Sequence, residues 1–410
     1  MAPAGDWVCL RAALEAGCDS VYFGINRLNM RAGASNFQDS ELDSVMEACH
    51  EKGIKGYLAL NTIVYEGELD DLGEVLDMAV EAKVDAIICS DLSVIQKVRA
   101  RELPVIISTQ MSISNSESIK FFYETMGITR FVLARECTLE DIALIREDLN
   151  KKLGEVSEKI ELEVFIHGAM CVSVSGRCFL SHYQYGKSAN RGECLQPCRR
   201  EYIITNEEEG ESFSVGSDYL LSPKDLCTMP FIDKLIDAGI DRFKIEGRNR
   251  NAEYVLTVTK AYRDAVDKYF ELCGNEGFEE DYEELKSELT EKMRKVYNRG
   301  FSNGFFMGMP ADDWSAVSGS AAVQKKAYSG IVTNYYAKPG VAEILIHDNG
   351  FAVGDEIMFQ GNTTGVLQQE VISMQVEHEA MEAAEKGMLV AVKTDKPVHR
   401  KDKVFIITDA

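Results

Sequence analysis

Short apolar segments alternate with amphipathic helical segments over the first 250 residues, and this alternation restricts the fold more than any other feature. Seven segments are short, apolar and rich in Val, Ile or aromatic residues, as expected for strands buried on both faces: 20–24, 56–61, 85–90, 104–108, 130–134, 161–167 and 242–246. We interpret Met1–Pro3 as part of an eighth strand. Repeated βα units in this number predict an α/β fold of the (β/α)8 barrel type. An open doubly wound sheet is the alternative, although no G-x-G-x-x-G motif follows a strand.

The pattern divides the 410 residues into three parts. Residues 1–250 form the predicted barrel, with an insertion at 168–240 that is far longer than a βα connection requires. Residues 251–317 are predicted as a helical extension and connector. From 318 to 410, short alternating strands separated by Gly and Asn/Asp turns predict a small C-terminal all-β barrel.

Charge and hydropathy exclude several classes of protein. The 44 Lys and Arg residues and 67 Asp and Glu residues give a net charge of −23, which argues against a general polyanion binder. A run of ~18 apolar residues, which a membrane-spanning helix requires, does not occur, and the first residues do not follow the pattern of a secretory signal. The sequence therefore predicts a cytoplasmic protein with no membrane contact, which could bind nucleic acid only at a locally basic surface.

Five of the 11 cysteines lie between Cys171 and Cys227. Four of them, Cys171, Cys178, Cys194 and Cys198, have the spacing C-x6-C, x15, C-x3-C just beyond a predicted strand. Four thiolates suit either an iron–sulfur cluster or zinc, and a cluster spreads its ligands over the wider surface that this spacing indicates. Structural zinc and unliganded reduced thiols both stay open as alternatives.

The same segment is locally basic in an acidic chain and carries interleaved tyrosines. This pattern favours contact with RNA or another anion, and an ordinary solvated loop is the alternative. The candidate RNA-binding residues are Arg177, Tyr183, Tyr185, Lys187, Arg191, Arg199 and Arg200.

Polar residues follow the predicted strands at the end where (β/α)8 enzymes build their active sites. They are Asn26, Arg31, Asn61, Thr62, Asp91, Ser108, Thr109, Gln110, Arg135, Glu136, His167, Lys244, Glu246 and Arg248. We expect them to outline a polar pocket in which Arg135 and Arg248 could hold a dicarboxylate by bidentate pairing. The catalytic candidates are Arg135, Glu136, His167, Glu246 and Arg248.

The segment that begins at Glu163 resembles peptidase family U32. The family pattern E-x-F-x-x-G-A-[aliphatic]-C-x4-G-x-C-x-L-S is met by Glu163, Phe165, Gly168, Ala169, Met170, Cys171, Gly176, Cys178, Leu180 and Ser181. Similar stretches extend over most of the chain: APAG at 2–5, STQMSISN at 108–115, LARE at 133–136, SPKDL at 222–226 and FKIEGR at 243–248. Family members carry several residues ahead of APAG, so the resemblance implies a shortened first strand here.

The resemblance implies one of two activities. Some members are named collagenase-like proteases, and others take part in oxygen-independent hydroxylation of a tRNA wobble uridine with prephenate, of a ribosomal RNA cytidine, or of a ubiquinone precursor. In the hydroxylating branch four cysteines hold a [4Fe–4S] cluster. By motif these correspond to Cys171, Cys178, Cys194 and Cys198, with Cys227 as a spare. Paralogous protein partners are common in the family.

We therefore expect an RNA hydroxylation enzyme that uses a small anionic donor, with prephenate as the candidate. The alternatives are a collagenase-like peptidase and a zinc-stabilised, non-catalytic RNA-binding scaffold. The chain has neither H-E-x-x-H nor G-x-S-x-G, and none of its six histidines has an obvious Cys or Ser partner in the sequence.

Overall fold

Seven strands from the first 170 residues pair side by side in chain order, and every pair is parallel. The computed structural model describes every residue except 31, 32, 34, 176, 207, 209, 210, 215–220, 276, 311, 312 and 318. The strands are β1 (Ala2–Pro3), β2 (Ser20–Phe23), β3 (Lys55–Leu60), β4 (Ala86–Cys89), β5 (Val105–Ile107), β6 (Arg130–Val132) and β7 (Glu161–Ala169). All six strands predicted in this part of the chain are confirmed, as is the short first strand.

Helices connect these strands and pack on the sheet. They are α1 (Trp7–Glu15), α2 (Leu42–His50), α3 (Leu69–Glu81), α4 (Leu92–Arg99), α5 (Ser116–Met126) and α6 (Leu139–Leu153). Capping side chains fix where several of them begin. Asp6 accepts from the backbone of α1, Asn115 from that of α5, and Thr138 and Asp141 form a reciprocal capping box at the start of α6.

The free edge of β7 pairs with two strands from different parts of the chain. The insertion contributes α7 (Leu180–Tyr185), the hairpin β8 (Ile203–Asn206) and β9 (Glu211–Ser214), and β10 (Asp225–Cys227). Then follow α8 (Ile232–Asp237) and β11 (Arg242–Ile245), which confirms the last of the seven strands predicted for residues 1–250. β11 pairs in parallel with the first half of β7, and β10 pairs antiparallel with its second half. The antiparallel strand was not predicted.

β11 also reaches the start of the chain. The amino group of Met1 donates to the Phe243 carbonyl at 2.7 Å, and the Ile245 amide donates to the Met1 carbonyl at 3.2 Å. These bonds lie between β11 and the strand that opens the sheet. The architecture is therefore mixed α/β with a largely parallel sheet, and closure into a complete (β/α)8 barrel stays a prediction.

The connector is helical as predicted, with one strand that was not. Its helices are α9 (Ala252–Leu272) and α10 (Phe278–Arg294), and they are followed by β12 (Phe301–Ser302). β12 pairs in parallel with β10 and so becomes the tenth strand of the main sheet. The connector therefore contributes to the sheet that carries the candidate site.

The C-terminal part is all-β, as predicted, but a closed barrel is not seen in the strands that the structure describes there. Eight strands form one antiparallel sheet in the order β17-β16-β22-β13-β14-β21-β18-β19, and two more form a separate pair. They are β13 (Gln324–Tyr336), β14 (Val341–Ile346), β15 (Phe351–Ala352), β16 (Glu356–Gly361), β17 (Gly365–Glu370), β18 (Met374–Val376), β19 (Glu379–Met381), β20 (Ala383–Ala384), β21 (Leu389–Lys393) and β22 (Lys403–Asp409). The difference arises because local strand patterns do not specify which edges meet.

Two hydrophobic cores correspond to these two parts. The larger core fills the sheet and helices of the first 306 residues, and the smaller one lies between Val332 and Val404. Met358 and Val366 of the C-terminal part pack into the larger core. None of the described helices is long and apolar enough to cross a membrane.

Candidate active site

A cavity of about 200 Å³ opens at the carboxyl ends of the parallel strands. Side chains close to the ends of β3, β5, β6 and β11 line it: Asn61, Ser108, Thr109, Gln110, Arg135, Lys244, Glu246 and Arg248. Parallel strands end at one edge of a sheet, so residues far apart in the chain meet there. The structure thus brings together eight of the polar residues selected from the sequence.

The four thiols of the predicted ligand set line the same cavity. Cys171 lies two residues beyond β7, Cys178 precedes α7, Cys194 precedes the turn Pro197–Arg199, and Cys198 lies within that turn. Burial raises the pKa of the Cys198 thiol, Arg199 opposes this shift, and the other three thiols raise the pKa further. Among the residues described, no group of three or more His, Cys, Asp or Glu side chains is arranged to hold a single metal ion.

Backbone groups and small residues position the thiol loop. The Gln196 amide donates to the sulfur of Cys194 at 3.4 Å, and the Cys178 amide donates to the Asn190 side-chain oxygen at 3.0 Å. Gly168 has a φ of +105°, and an added Cβ would lie 2.5 Å from the Glu246 carbonyl oxygen. Only glycine fits this close crossing of β7 and the end of β11, which sets the direction of the chain toward Cys171.

Arg199 ties the thiol loop to the segments that follow β7 and precede β10. Its guanidinium donates to the Ser222 hydroxyl and the Pro223 carbonyl, both at 2.7 Å, and to the Met170 carbonyl. Burial lowers the pKa of Arg199, and the nearby Arg299 lowers it further. A cation that is buried to this extent and satisfied by three acceptors holds the loop in one position.

Cationic side chains dominate the cavity wall. Six of them line it, namely Arg135, Arg199, Lys244, Arg248, Arg250 and Arg299, and Glu246 is the only acid among the described lining residues. Just outside the wall, Arg250 and Arg299 share the buried Asp225 at 3.5 and 3.4 Å. One carboxylate cannot neutralise two guanidinium groups, so an excess of positive charge remains at the cavity.

Arg135 has unused hydrogen-bonding capacity there. Its Nη1 donates to the Ala169 carbonyl at 3.2 Å, its guanidinium lies over the Phe165 ring, and its Nη2 is 3.9 Å from the Glu246 carboxylate. Its Nε is buried and has no hydrogen-bond partner in the described part of the chain. A bound anion would satisfy this donor.

A buried ion triad of Glu163, Arg130 and Lys244 lies beneath the cavity. The Glu163 carboxylate accepts from Arg130 at 2.6 Å and lies 3.3 Å from the Lys244 ammonium. Burial alone would raise the pKa of Glu163, but Lys244 and Arg130 outweigh it and hold that pKa below its ordinary value. Burial lowers the pKa of Lys244, and Glu163 offsets only part of this shift.

The structure does not bring every candidate to the cavity. His167 is buried among the Tyr254, Tyr262 and Phe301 rings, and burial, with a smaller effect of Arg250, lowers its pKa to about 3. A neutral imidazole in this position packs against aromatic rings rather than facing the thiols. Cys227 is buried beside Tyr262, and burial raises its pKa to about 11. Neither residue, nor Asn26 or Glu136, is among the described lining residues, while Arg31 and Gly176 lie outside the described part of the chain.

The candidate RNA-binding residues differ in how far their side chains are already paired within the protein. Arg191 forms a bidentate pair with Glu68, and Lys187 pairs with Glu193, so their charges are partly used within the protein. Arg200 donates to the Tyr185 hydroxyl and lies over its ring. In contrast, Tyr183 is 86% exposed, and the one side-chain bond of Arg177 to the residues that the structure describes is long, at 3.4 Å to the Gln110 carbonyl.

Three charged residues that line or support the cavity were not selected from the sequence: Asp225, Arg250 and Arg299. Arg250 lies two residues beyond Arg248 in the same loop, so its position after a strand was a usable signal. Asp225 begins β10, and Arg299 lies two residues before β12. The sequence pattern does not predict that these two strands pair with each other or that β10 pairs with β7.

The chain was compared with known proteins. The family model "Peptidase family U32" matches residues 5–316. An uncharacterized protease of Methanocaldococcus jannaschii is 42% identical over 415 residues, covering 100% of this chain and 98% of that protein. A collagenase of Porphyromonas gingivalis strain W83 is 38% identical over 408 residues, covering 99% and 96%. The tRNA hydroxylation protein P1 of Bacillus subtilis is 33% identical over 368 residues, covering 88% and 83%. The match to the family model and the extent of these similarities show that this chain belongs to peptidase family U32.

Proposed function

We propose that this chain is an iron–sulfur-dependent, oxygen-independent RNA hydroxylation enzyme, with a tRNA wobble uridine as the first substrate to test. One observation supports this proposal most: four thiols and an excess of cationic side chains line a single cavity at the carboxyl edge of a parallel sheet. The combination suits a redox centre next to an anionic co-substrate. The name of the Bacillus subtilis relative supports RNA as the substrate class.

The residues present fit a [4Fe–4S] cluster. Cys171, Cys178, Cys194 and Cys198 would hold it, since all four line one cavity and an amide already donates to the Cys194 sulfur. When bound, such a cluster supplies one-electron redox chemistry. The buried Arg199 beside these thiols would offset the negative charge of thiolate ligands, and backbone N–H donors to sulfur would tune the potential.

The cationic wall is suited to a small anionic donor, for which prephenate is the candidate. Arg135 and Arg248 extend from two different strand ends, and the buried Nε of Arg135 lacks a described partner. A dicarboxylate bound between these guanidinium groups would supply the missing acceptor and neutralise the excess charge. Glu246, 3.9 Å from Arg135, would orient that guanidinium.

RNA would approach over the insertion, where Tyr183 and Arg177 are the candidates least engaged by the rest of the chain. An acidic chain would repel RNA elsewhere, so binding would be confined to this region and sensitive to salt. A paralogous protein partner could extend the surface. RNA modification would place the protein in the cytoplasm.

A collagenase-like peptidase is the second candidate, because a relative that is 38% identical bears that name. Hydrolysis by a nucleophile requires a Ser, Thr or Cys beside a base that is oriented by a third group. In the described part of the chain, no histidine ring is hydrogen-bonded to a Cys or Ser side chain. The Thr364 hydroxyl is 2.9 Å from the His399 ring, but it also donates to Asp402, so the carboxylate does not orient the imidazole. A zinc-stabilised scaffold is the third candidate.

Two measurements test the proposal. Protein purified without oxygen should be brown and contain about four iron atoms per chain, the content of one [4Fe–4S] cluster, and Cys178→Ser should lose most of this iron. Mass spectrometry of tRNA and rRNA nucleosides from a deletion strain should show a hydroxylated pyrimidine that returns only with the wild-type gene. Full iron in Cys178→Ser would contradict the ligand assignment, and bound zinc without iron would favour the scaffold. Gelatin cleavage by colourless, metal-free protein, abolished by Cys171→Ala, would favour the peptidase.

A further inference from the structure

A second cavity adjoins the thiol cavity and plays no part in the donor site described above. It has a volume of about 440 Å³ and opens between the insertion and the ends of β3, β4 and β5. Three residues line both cavities: Met30, Asn61 and Gln110. We call this second cavity the side groove. Its size falls in the range of roughly 300–1,000 Å³ that is typical of small-ligand sites.

Three side-chain amides in the side groove are held with their NH2 groups uncommitted. The Asn61 oxygen accepts from the Met30 amide at 3.1 Å, the Asn190 oxygen from the Cys178 amide, and the Gln110 oxygen from the Ser108 hydroxyl. Within the described part of the chain, no acceptor contacts any of the three NH2 groups. They therefore offer hydrogen-bond donors to carbonyl oxygens of a ligand.

Asp91 supplies the complementary acceptor. Its carboxylate is held by the Ser93 amide at 2.9 Å and the Val64 amide at 3.2 Å. Burial would raise the pKa of Asp91, but the bonds from Ser93 and from backbone amides outweigh burial and hold the pKa below its ordinary value. An ionised carboxylate that lines the same groove as amide donors offers partners for a planar ring edge that alternates carbonyl oxygens with an N–H group.

An aromatic ring and a cation complete the side groove. Phe179 is 61% exposed, and its only described aromatic contact is edge-on with Tyr183, at 6.3 Å between ring centroids. A large apolar ring left open to solvent at the wall of a polar groove is suited to stacking on a flat ligand. Arg177 lines the same groove, where its guanidinium can contact a phosphate.

We propose that the side groove binds the reacting pyrimidine base of RNA, flipped out of its stack. Donors and an acceptor for the base edge, an aromatic ring for its face and a guanidinium for its phosphate are the contacts such a base requires. Asn190 bonds to Cys178 and lines the groove, so the bound base lies next to the thiol cavity. This inference rests on the proposed RNA hydroxylation and adds the location of the substrate base.

Photo-crosslinking of the full-length protein tests this location. The probe is an in vitro tRNA transcript with 4-thiouridine in place of uridine, and crosslinked peptides are mapped by mass spectrometry. We expect crosslinks to the peptides that contain Met111 or Phe179. Phe179→Ala should lower the yield roughly tenfold, as expected when one base stack is lost. Asp91→Asn leaves Phe179 in place and can still cap α4, and it should also lower the yield severalfold.

Phe121→Ala is the matched control, because Phe121 is 56% exposed on α5 and does not line the groove. It should crosslink like the wild type. Crosslinks that map mainly to other surfaces, or equal yields from all four proteins, would overturn the inference. Mapping to the C-terminal sheet would place the RNA there instead.

Nucleoside analysis of the complemented deletion strain separates this inference from the proposed function. If the wild type restores a hydroxylated pyrimidine and Phe179→Ala restores as much, the hydroxylation proposal stands and the side groove is not the base site. If crosslinks map to the groove but no hydroxylated nucleoside depends on the gene, the base site stands and the hydroxylation proposal fails. Loss of product in Phe179→Ala and Asp91→Asn, with iron content retained, supports both.

Discussion

The candidate site has two walls that are held in different ways. The wall formed by the sheet rests on backbone ladders and on the buried triad of Glu163, Arg130 and Lys244. The wall formed by residues 171–200 of the insertion has only short helices and turns in its described part, and it is attached chiefly by Arg199 and Arg191, beside one backbone bond from Gly33 to Gly192. One wall is therefore part of the cooperative core, whereas the other depends on a few side-chain contacts.

Because of this difference, substitutions in the two walls should affect the stability of the protein in different ways. Loss of a contact in the sheet wall should lower the free energy of unfolding of the whole domain, because those residues belong to the main core. Loss of a contact in the insertion wall should release the thiol loop locally and leave the global transition almost unchanged. Four predictions test this distinction, in order of decreasing expected effect.

Glu163→Gln should have the largest effect. Glu163 is fully buried between Arg130 and Lys244, and removal of its charge takes the carboxylate partner from Lys244 and leaves Arg130 with the longer contact to Glu161 at 3.6 Å. Breaking a buried pair in this way costs about 3–5 kcal/mol of unfolding free energy, measurable by urea denaturation. Glu161→Gln, two residues away on β7 and partly exposed beside Arg242, is the control and should cost less than about 1 kcal/mol. Equal losses in both variants would contradict the central role of the triad.

His167 should make the folded protein less stable as the pH is lowered. Its pKa is about 3 in the folded protein and 6.5 in a model compound, so the unfolded state binds the proton more tightly. Stability is then complete above pH 6.5 and falls as the pH drops toward 3, by about 2 kcal/mol at pH 5. His167→Gln should reduce this slope between pH 6.5 and 5, as followed by denaturation at each pH. The exposed control His378→Gln should retain it. An unchanged slope in His167→Gln would show that other groups cause the loss.

The sequence predicted residues whose position depends on local pattern. Cys171 and Arg135 were found because each closely follows an apolar strand, and strand ends converge in a parallel sheet. Asp225 was missed because it reaches the site through an antiparallel pair with β7, which no local period encodes. The ion pair of Arg191 was also not predicted, because its partner Glu68 lies 123 residues away in the sequence. Site residues that follow a strand in the sequence could therefore be predicted, whereas contacts between distant parts of the chain could not.

Arg199→Lys should loosen the insertion wall without unfolding the sheet. Lysine cannot reproduce the forked donation to Ser222, Pro223 and Met170. We expect hydrogen-exchange protection in 171–200 to fall by roughly 2 kcal/mol, as for a lost charged hydrogen bond, while amides of β2 to β6 keep theirs. Arg200→Lys is the neighbouring control and should change little. A global loss of protection in Arg199→Lys would show that both walls belong to one cooperative unit.

The Arg191–Glu68 pair should give the smallest effect and the clearest view of how the insertion is attached. Both side chains are about one-quarter exposed, so solvent screening limits their coupling to about 1 kcal/mol. A double-mutant cycle with Arg191→Ala and Glu68→Ala should measure this coupling in the exchange of amides near Gly192, whose carbonyl accepts from Gly33. The Lys187–Glu193 pair is more exposed and lies within the insertion, so its cycle should give a coupling close to zero. If the two cycles gave the same value, the Arg191–Glu68 ion pair would not be an attachment point, and Arg191 would act instead through its bond to the Ile63 carbonyl.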